Sequence, residues 1–176
     1  MPVDSYYYDV AQICENGDLI TSKANNEPVK CSPHCPICAA KTIKACPKCK
    51  TPIRGSYARN VYRSSSNLSA PKMSTYYYGV YKIPCYCHNC GAPYPWTTKR
   101  INEFNSVVDM TAGVTTDEKE DLKSSFPNVL ADNAQTVSSS LKIRNKLDKI
   151  SSSAAGPLKE ILTKVATAGA LKFLGL

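Results

Sequence analysis

The sequence predicts an α+β protein: a small, metal-stapled β head over residues 1–97, followed by an α-helical region over residues 98–176. Three observations predict it. Cysteines recur as C-x-x-C pairs at Cys35/Cys38, Cys46/Cys49 and Cys87/Cys90, with Cys14 upstream and no cysteine after Cys90. Aromatic and β-branched runs broken by turn residues fill the first hundred positions. From Thr97 the apolar period becomes that of helices.

In the head, Tyr6-Tyr7-Tyr8 and Val10-Ala11-Gln12-Ile13 read as a strand leading into Cys14. Glu15-Asn16-Gly17-Asp18 is a turn, Asn-Gly being a strong hairpin signal, and Leu19-Ile20-Thr21 is the return strand. A polar loop from Ser22 to Lys30 then leads to the cysteine cluster. The 37 residues between Cys49 and Cys87 read as an extended hairpin, Ile53 to Tyr62 and Thr75 to Ile83, joined by a Ser-rich link from Arg63 to Lys72. Trp96 closes the head and is expected to pack in its small core.

A C-x-x-C turn sets two thiolates on one side of a tight loop, each within reach of an ion at about 2.3 Å, and a second pair completes a tetrahedron. Two structural Zn2+ ions are expected in a double zinc-ribbon-like head. Cys46, Cys49, Cys87 and Cys90 form the second site. Cys35, Cys38 and Cys14 belong to the first, whose fourth ligand is Cys31, His34 or Asp18; Cys31 ranks first as a soft thiolate, then His34, then Asp18. Cys85 is the spare thiol, and His88 faces solvent.

The helical region divides as follows. Ile101, Phe104, Val107 and Val108 share a face of a first helix, about Thr98 to Met110. Thr115-Thr116-Asp117-Glu118 fits a capping box for a second, ending near Ser125. Ala134, Val137, Leu141, Leu147 and Ile150 support a third. A last amphipathic helix starts near Pro157, with Leu158, Ile161, Leu162, Val165, Ala168 and Gly169 as its apolar face.

The net charge of +8 is uneven: residues 1–100 hold 13 Lys and Arg against 5 Asp and Glu, and residues 101–176 hold 9 of each. No acidic residue lies between Glu27 and Glu103, where twelve basic ones do. Two fully thiolate-bound zinc ions would remove about four units of charge. Arg54, Tyr57, Arg59, Tyr62, Arg63, Lys72 and Lys82 interleave cations with stacking surfaces, the pattern of a nucleic-acid-binding face. The alternative is a protein-interaction adaptor whose helical tail docks on a partner or forms a homo-oligomer. Thiolate-rich closed sites, two histidines and no catalytic motif speak against an enzyme, and no small-molecule substrate is expected. Met1-Pro2-Val3-Asp4 lacks the basic and apolar regions of a secretory signal, so a reducing, cytoplasmic setting is expected. No segment has the roughly 20 apolar residues of a membrane span.

The blocks Ala11 to Gly17, Cys35 to Ile43, Cys46 to Gly55 and Cys87 to Trp96 resemble the bacterial family catalogued as domain of unknown function 2321, over about residues 9–100. That family usually carries His where this chain has Asp18, and Gly where it has Ala39. The resemblance supports the fold and the metal sites and implies no activity.

Overall fold

A computed structural model describes residues 4–63 and 72–176. The fold is α+β, and its contacts divide it into two units, Met1–Trp96 and Thr97–Leu176.

The first unit holds two three-stranded antiparallel sheets. One is ordered β1 (Ser5–Val10), β5 (Arg54–Arg63), β6 (Lys72–Tyr78); the other is ordered β3 (Leu19–Thr21), β2 (Gln12–Cys14), β4 (Thr42–Ile43). The expected first strand is therefore two. It breaks at Ala11, whose amide donates to the Ile53 carbonyl at 2.9 Å. β1 serves one sheet and β2 the other. The link between β5 and β6 and the side chains of Arg63 and Lys72 lie outside the described residues, although the two residues pair in the ladder.

A bulge sets the junction. Between the pairs Tyr8↔Tyr57 and Val10↔Arg54, β5 spends one residue more than β1. Gly55 sits there because a Cβ would lie 2.2 Å from the Ser22 carbonyl oxygen. Opposite it, the buried Asp9 carboxylate accepts from the amides of Val10 (2.7 Å) and Asn25 (3.0 Å), Asn26 Nδ2 (2.7 Å) and the Tyr77 hydroxyl (3.0 Å). Burial raises its pKa, but these four donors outweigh burial and hold it below the usual value. Asp9 thereby ties the Lys23–Glu27 loop and β6 to β1.

The core of this unit is Ala11, Ile13, Ile53, Tyr94 and Trp96, packed with Cys46 and Cys87. Trp96 is fully buried, stacks on Tyr94 at 4.7 Å and donates Nε1–H to the Pro84 carbonyl at 2.9 Å.

The second unit continues from α1 (Pro95–Met110), which begins three residues before the expected start, through α2 (Thr116–Leu130), α3 (Thr136–Leu147), α4 (Ser152–Val165) and α5 (Ala168–Leu174). Thr115 and Glu118 form the expected capping box. α2 does not stop near Ser125. It runs through Pro127, burying Phe126, Val129 and Leu130, and Phe126 stacks on Phe104 of α1.

Of the five residues expected to support α3, Leu147 is buried, Val137 and Leu141 are exposed, and Ala134 and Ile150 lie outside the helix; Thr136, Ser139, Ser140 and Ile143 are buried with Leu147 at helical spacing. Hydroxyls can turn inward because each finds a partner: Ser140 donates to the Thr136 carbonyl (2.7 Å), Thr136 to the Asn128 carbonyl (2.9 Å), and Ser139 accepts from Asn128 (3.1 Å).

The last helix is also two. Pro157 lies inside α4 rather than opening it. Ala166 and Thr167 are extended, and Thr167 caps a new helix by accepting from Ala170, which leaves Ala168 and Gly169 exposed. No described helix is long and apolar enough to cross a membrane.

Candidate metal centres and tyrosine face

Three turns of one design carry six of the cysteines. In each, the amide of the residue after the second cysteine donates to the carbonyl of the first at 2.9 Å: Ala39 to Cys35, Lys50 to Cys46, Gly91 to Cys87. In each, the first cysteine's amide donates at 2.8 Å to the carbonyl five residues on, in Ala40, Thr51 and Ala92. Isolated bridges His34↔Lys41, Ala45↔Pro52 and Tyr86↔Pro93 close them identically. The residue after the second cysteine has positive φ every time: Ala39 57°, Lys50 62°, Gly91 67°. That geometry accounts for the glycine that the resembling family places where this chain has Ala39.

The second centre gathers Cys46, Cys49, Cys87 and Cys90. Sγ atoms of Cys46 and Cys90 lie 3.8 Å apart, and those of Cys49 and Cys87 lie 3.6 Å apart. A tetrahedron with metal–sulfur bonds of about 2.3 Å has edges of about 3.8 Å, so the donors are spaced for a metal and not for disulfides, whose sulfurs sit at about 2.05 Å. The Thr51 hydroxyl and amide pull the Cys49 thiol down to about 5 and the Cys90 amide lowers Cys87, whereas Cys90, although the Ala92 amide lowers it, is pushed up to about 11 by its hydrogen bonds to the neighbouring cysteines and by burial.

The first centre gathers Cys14, Asp18, Cys35 and Cys38. Asp18 Oδ2 lies 3.2, 3.3 and 3.2 Å from the sulfurs of Cys14, Cys35 and Cys38, and Cys14 and Cys38 are 3.7 Å apart. β4 follows directly on the Cys35–Cys38 turn and pairs with β2, which brings Cys14 to it. The hairpin turn does the rest: Cys14 donates its amide to the Asp18 carbonyl at 2.9 Å, and the Asp18 amide donates to Cys14 Sγ at 3.2 Å. Burial raises the Cys14 thiol to about 11, while the Ala40 amide lowers Cys38.

Asp18, ranked last from the sequence, therefore replaces Cys31 and His34 at this cluster. Gln12, buried on β2, holds both sides of Ser32, donating to its carbonyl at 2.7 Å and accepting from its amide at 3.1 Å. Cys31 is thereby turned toward the Ala24 carbonyl, 3.9 Å from its sulfur. His34 is exposed in the bridge to Lys41, and His88 is exposed.

The outer face of the β1-β5-β6 sheet is aromatic. Tyr8, Tyr57 and Tyr78 are directly opposite one another across the three strands, and Tyr6, Arg59 and Tyr76 form the next row. Tyr57 has ring centroids at 5.1 Å to Tyr8, 6.0 Å to Tyr6 and 6.3 Å to Tyr78. Exposures of these five tyrosines run from 38% for Tyr57 to 55% for Tyr6. The Arg54 guanidinium lies over Tyr8 at 4.9 Å, and neither it nor Lys82 is ion-paired among the described residues.

Other expected members of this face behave differently. Arg59 is ion-paired with Asp4 and lies over Tyr6 at 5.5 Å. Tyr62, five residues from Tyr57 in an alternating strand, is on the opposite side. Tyr6 and Tyr8 were absent from the expected set, because only the pairing of β1 with β5 brings them there.

Searches of curated proteins and of solved structures returned no match. Residues 7–174 match a family described as an uncharacterized protein conserved in bacteria, through the helical unit as well as the head. This chain, with its three like turns and two ligand clusters, belongs to that DUF2321 family.

Proposed function

We propose that this protein binds single-stranded nucleic acid across its tyrosine face, on a head stapled by two structural zinc ions, and that it is not an enzyme. The row Tyr8, Tyr57, Tyr78 carries the reading, three exposed rings across adjacent strands with Arg54 beside them. Base stacking on such rings contributes about 1–3 kcal/mol per base and tolerates any sequence, while unpaired cations meet phosphates. Seven cysteine sulfurs and one carboxylate at tetrahedral spacing support zinc as the metal. Asp18 is already counted among the acids, so filling the first centre removes one unit of charge rather than two. The loaded chain is then about +5, basic enough to attract phosphate.

The test is binding of the zinc-loaded protein to fluorescent single-stranded DNA, RNA and duplex across a salt series, with metal content measured by elemental analysis. Single strands should bind better than duplex, and Tyr57→Ala should weaken them roughly ten-fold. Equal or stronger duplex binding, or indifference to Tyr57→Ala, would overturn the reading. Chelation should abolish binding together with the near-ultraviolet tyrosine signal, since structural zinc supplies on the order of 10 kcal/mol per site.

A second reading, self-association through the helical unit, is favoured by Val137 and Leu141, exposed one turn apart on α3. The apolar face of α4 does not support it, because Leu158 and Leu162 are fully buried. Light scattering of Leu141→Asp decides: unchanged mass removes this reading.

A further inference from the structure

We infer that the cavity at the end of the tyrosine row is a single-nucleotide subsite that holds one base and its phosphate; the inference rests on the single-strand reading above. The cavity, open to solvent on one side, offers about 270 Å³ and shares Tyr8, Tyr57 and Tyr78 with the open face. Arg54 and Gly55 of β5 also line it, and the rest of its wall comes from a different part of the chain, the stretch from Val80 to Tyr94 that runs into the second metal centre. That wall is fixed. The Tyr81 hydroxyl donates to the Arg54 carbonyl at 2.9 Å, Trp96 holds the Pro84 carbonyl at 2.9 Å, and Tyr86 and His88 flank the ligand Cys87.

The lining selects the ligand. Arg54, Lys82 and His88 are its charged or chargeable side chains, and no carboxylate or amide side chain lines it. An aromatic cage for an ammonium group is therefore disfavoured, since its rings would have to hold a cation beside Arg54 and Lys82. A sugar alone would lack the carboxylate and amide acceptors its hydroxyls need. A planar base against phenol rings, with an anion on Arg54 and Lys82, satisfies both kinds of side chain. The volume is slightly below the range of about 300–1,000 Å³ usual for ligand pockets, which suits one nucleotide and not a run of them.

The experiment titrates the zinc-loaded full chain with 5′-AMP and 5′-UMP, with adenosine and inorganic phosphate as controls, and then with a labelled single strand in competition. Each monophosphate should bind once per chain, at least about ten-fold more tightly than adenosine or phosphate, and should compete with the strand. Lys82→Glu and Arg54→Met should each weaken the monophosphate about ten-fold, with near-ultraviolet spectra confirming folding. Tyr76→Ala, on the face but outside the cavity, should weaken only the strand. If the strand binds through Tyr57 but monophosphates neither bind nor compete, the subsite is wrong and the face stands. If neither binds, both fall.

Discussion

Arg59 of β5 is ion-paired with Asp4, the residue before β1, with Arg59 Nε 3.2 Å from Asp4 Oδ2. The span from Glu27 to Glu103 is free of acids only along the chain. Folding inserts an acid beside it, and one cation of the basic face is thereby neutralised.

Arg54 and Arg59 should then differ in a salt titration of single-strand binding. Each phosphate neutralised contributes about −0.7 to the slope of log K against log[salt]. Arg54→Ala should reduce the slope by about that amount and Arg59→Ala should leave it nearly unchanged. Asp4→Asn, which releases Arg59, should steepen it. Equal losses from both arginines would show that the ion pair opens when a strand binds.

At the first metal centre, Asp18→Ala should lower the metal content from two ions per chain to one, and Cys31→Ser should leave two. Elemental analysis of the purified variants reads this directly. Asp18→His, the residue usual in the family, should keep both ions. Loss of metal from Cys31→Ser with retention in Asp18→Ala would reverse the ligand assignment.

How legible these features were depended on the range over which each is encoded. The three cysteine turns were readable because four consecutive residues set both sulfurs. Asp18 was not, since choosing it over Cys31 requires knowing that Gln12 clamps Ser32 from another strand. The same holds for the tyrosine face, where Tyr6 and Tyr8 arrive by a pairing with Arg59 and Tyr57 about fifty residues away. On α3, hydrophobic periodicity placed Leu147 and misplaced Val137 and Leu141. Ser139 and Ser140 are buried by virtue of hydrogen bonds that no apolar pattern records.

The capping box predicts a pH dependence in the helical unit. Glu118 accepts from the Thr115 amide at 3.2 Å and from Lys146 at 3.1 Å, and these bonds hold its pKa below the ordinary 4.5. A depressed folded value means that its contribution is present above about 4.5 and is lost as pH falls through the folded value. Melting followed at 222 nm should therefore show an acid limb that is shallower in Glu118→Gln than in the wild type. Parallel acid limbs would mean that the carboxylate adds nothing to folding.

Two glycine substitutions should differ sharply in what they cost. At Gly55, a methyl group would meet the Ser22 carbonyl oxygen at 2.2 Å and the Val10 and Asp9 carbonyl carbons at 2.8 and 2.9 Å, and backbone cannot swing aside as a side chain can. That carbonyl also accepts from the Ser56 amide at 2.8 Å, so relief of the clash would pull apart the bulge that joins β1 to β5. Gly55→Ala should cost about 3 kcal/mol or prevent folding of the head, read from the single tryptophan, Trp96. Gly156 lies inside α4, exposed, immediately before Pro157. Gly156→Ala should change the stability of the helical unit by less than about 0.5 kcal/mol, because the backbone entropy that alanine saves is offset by the Pro157 ring crowding the new Cβ in a helical conformation. A neutral Gly55→Ala would show that Ser22 and the bulge can part without loss, and with it that the junction between the two sheets does not set the tyrosine face.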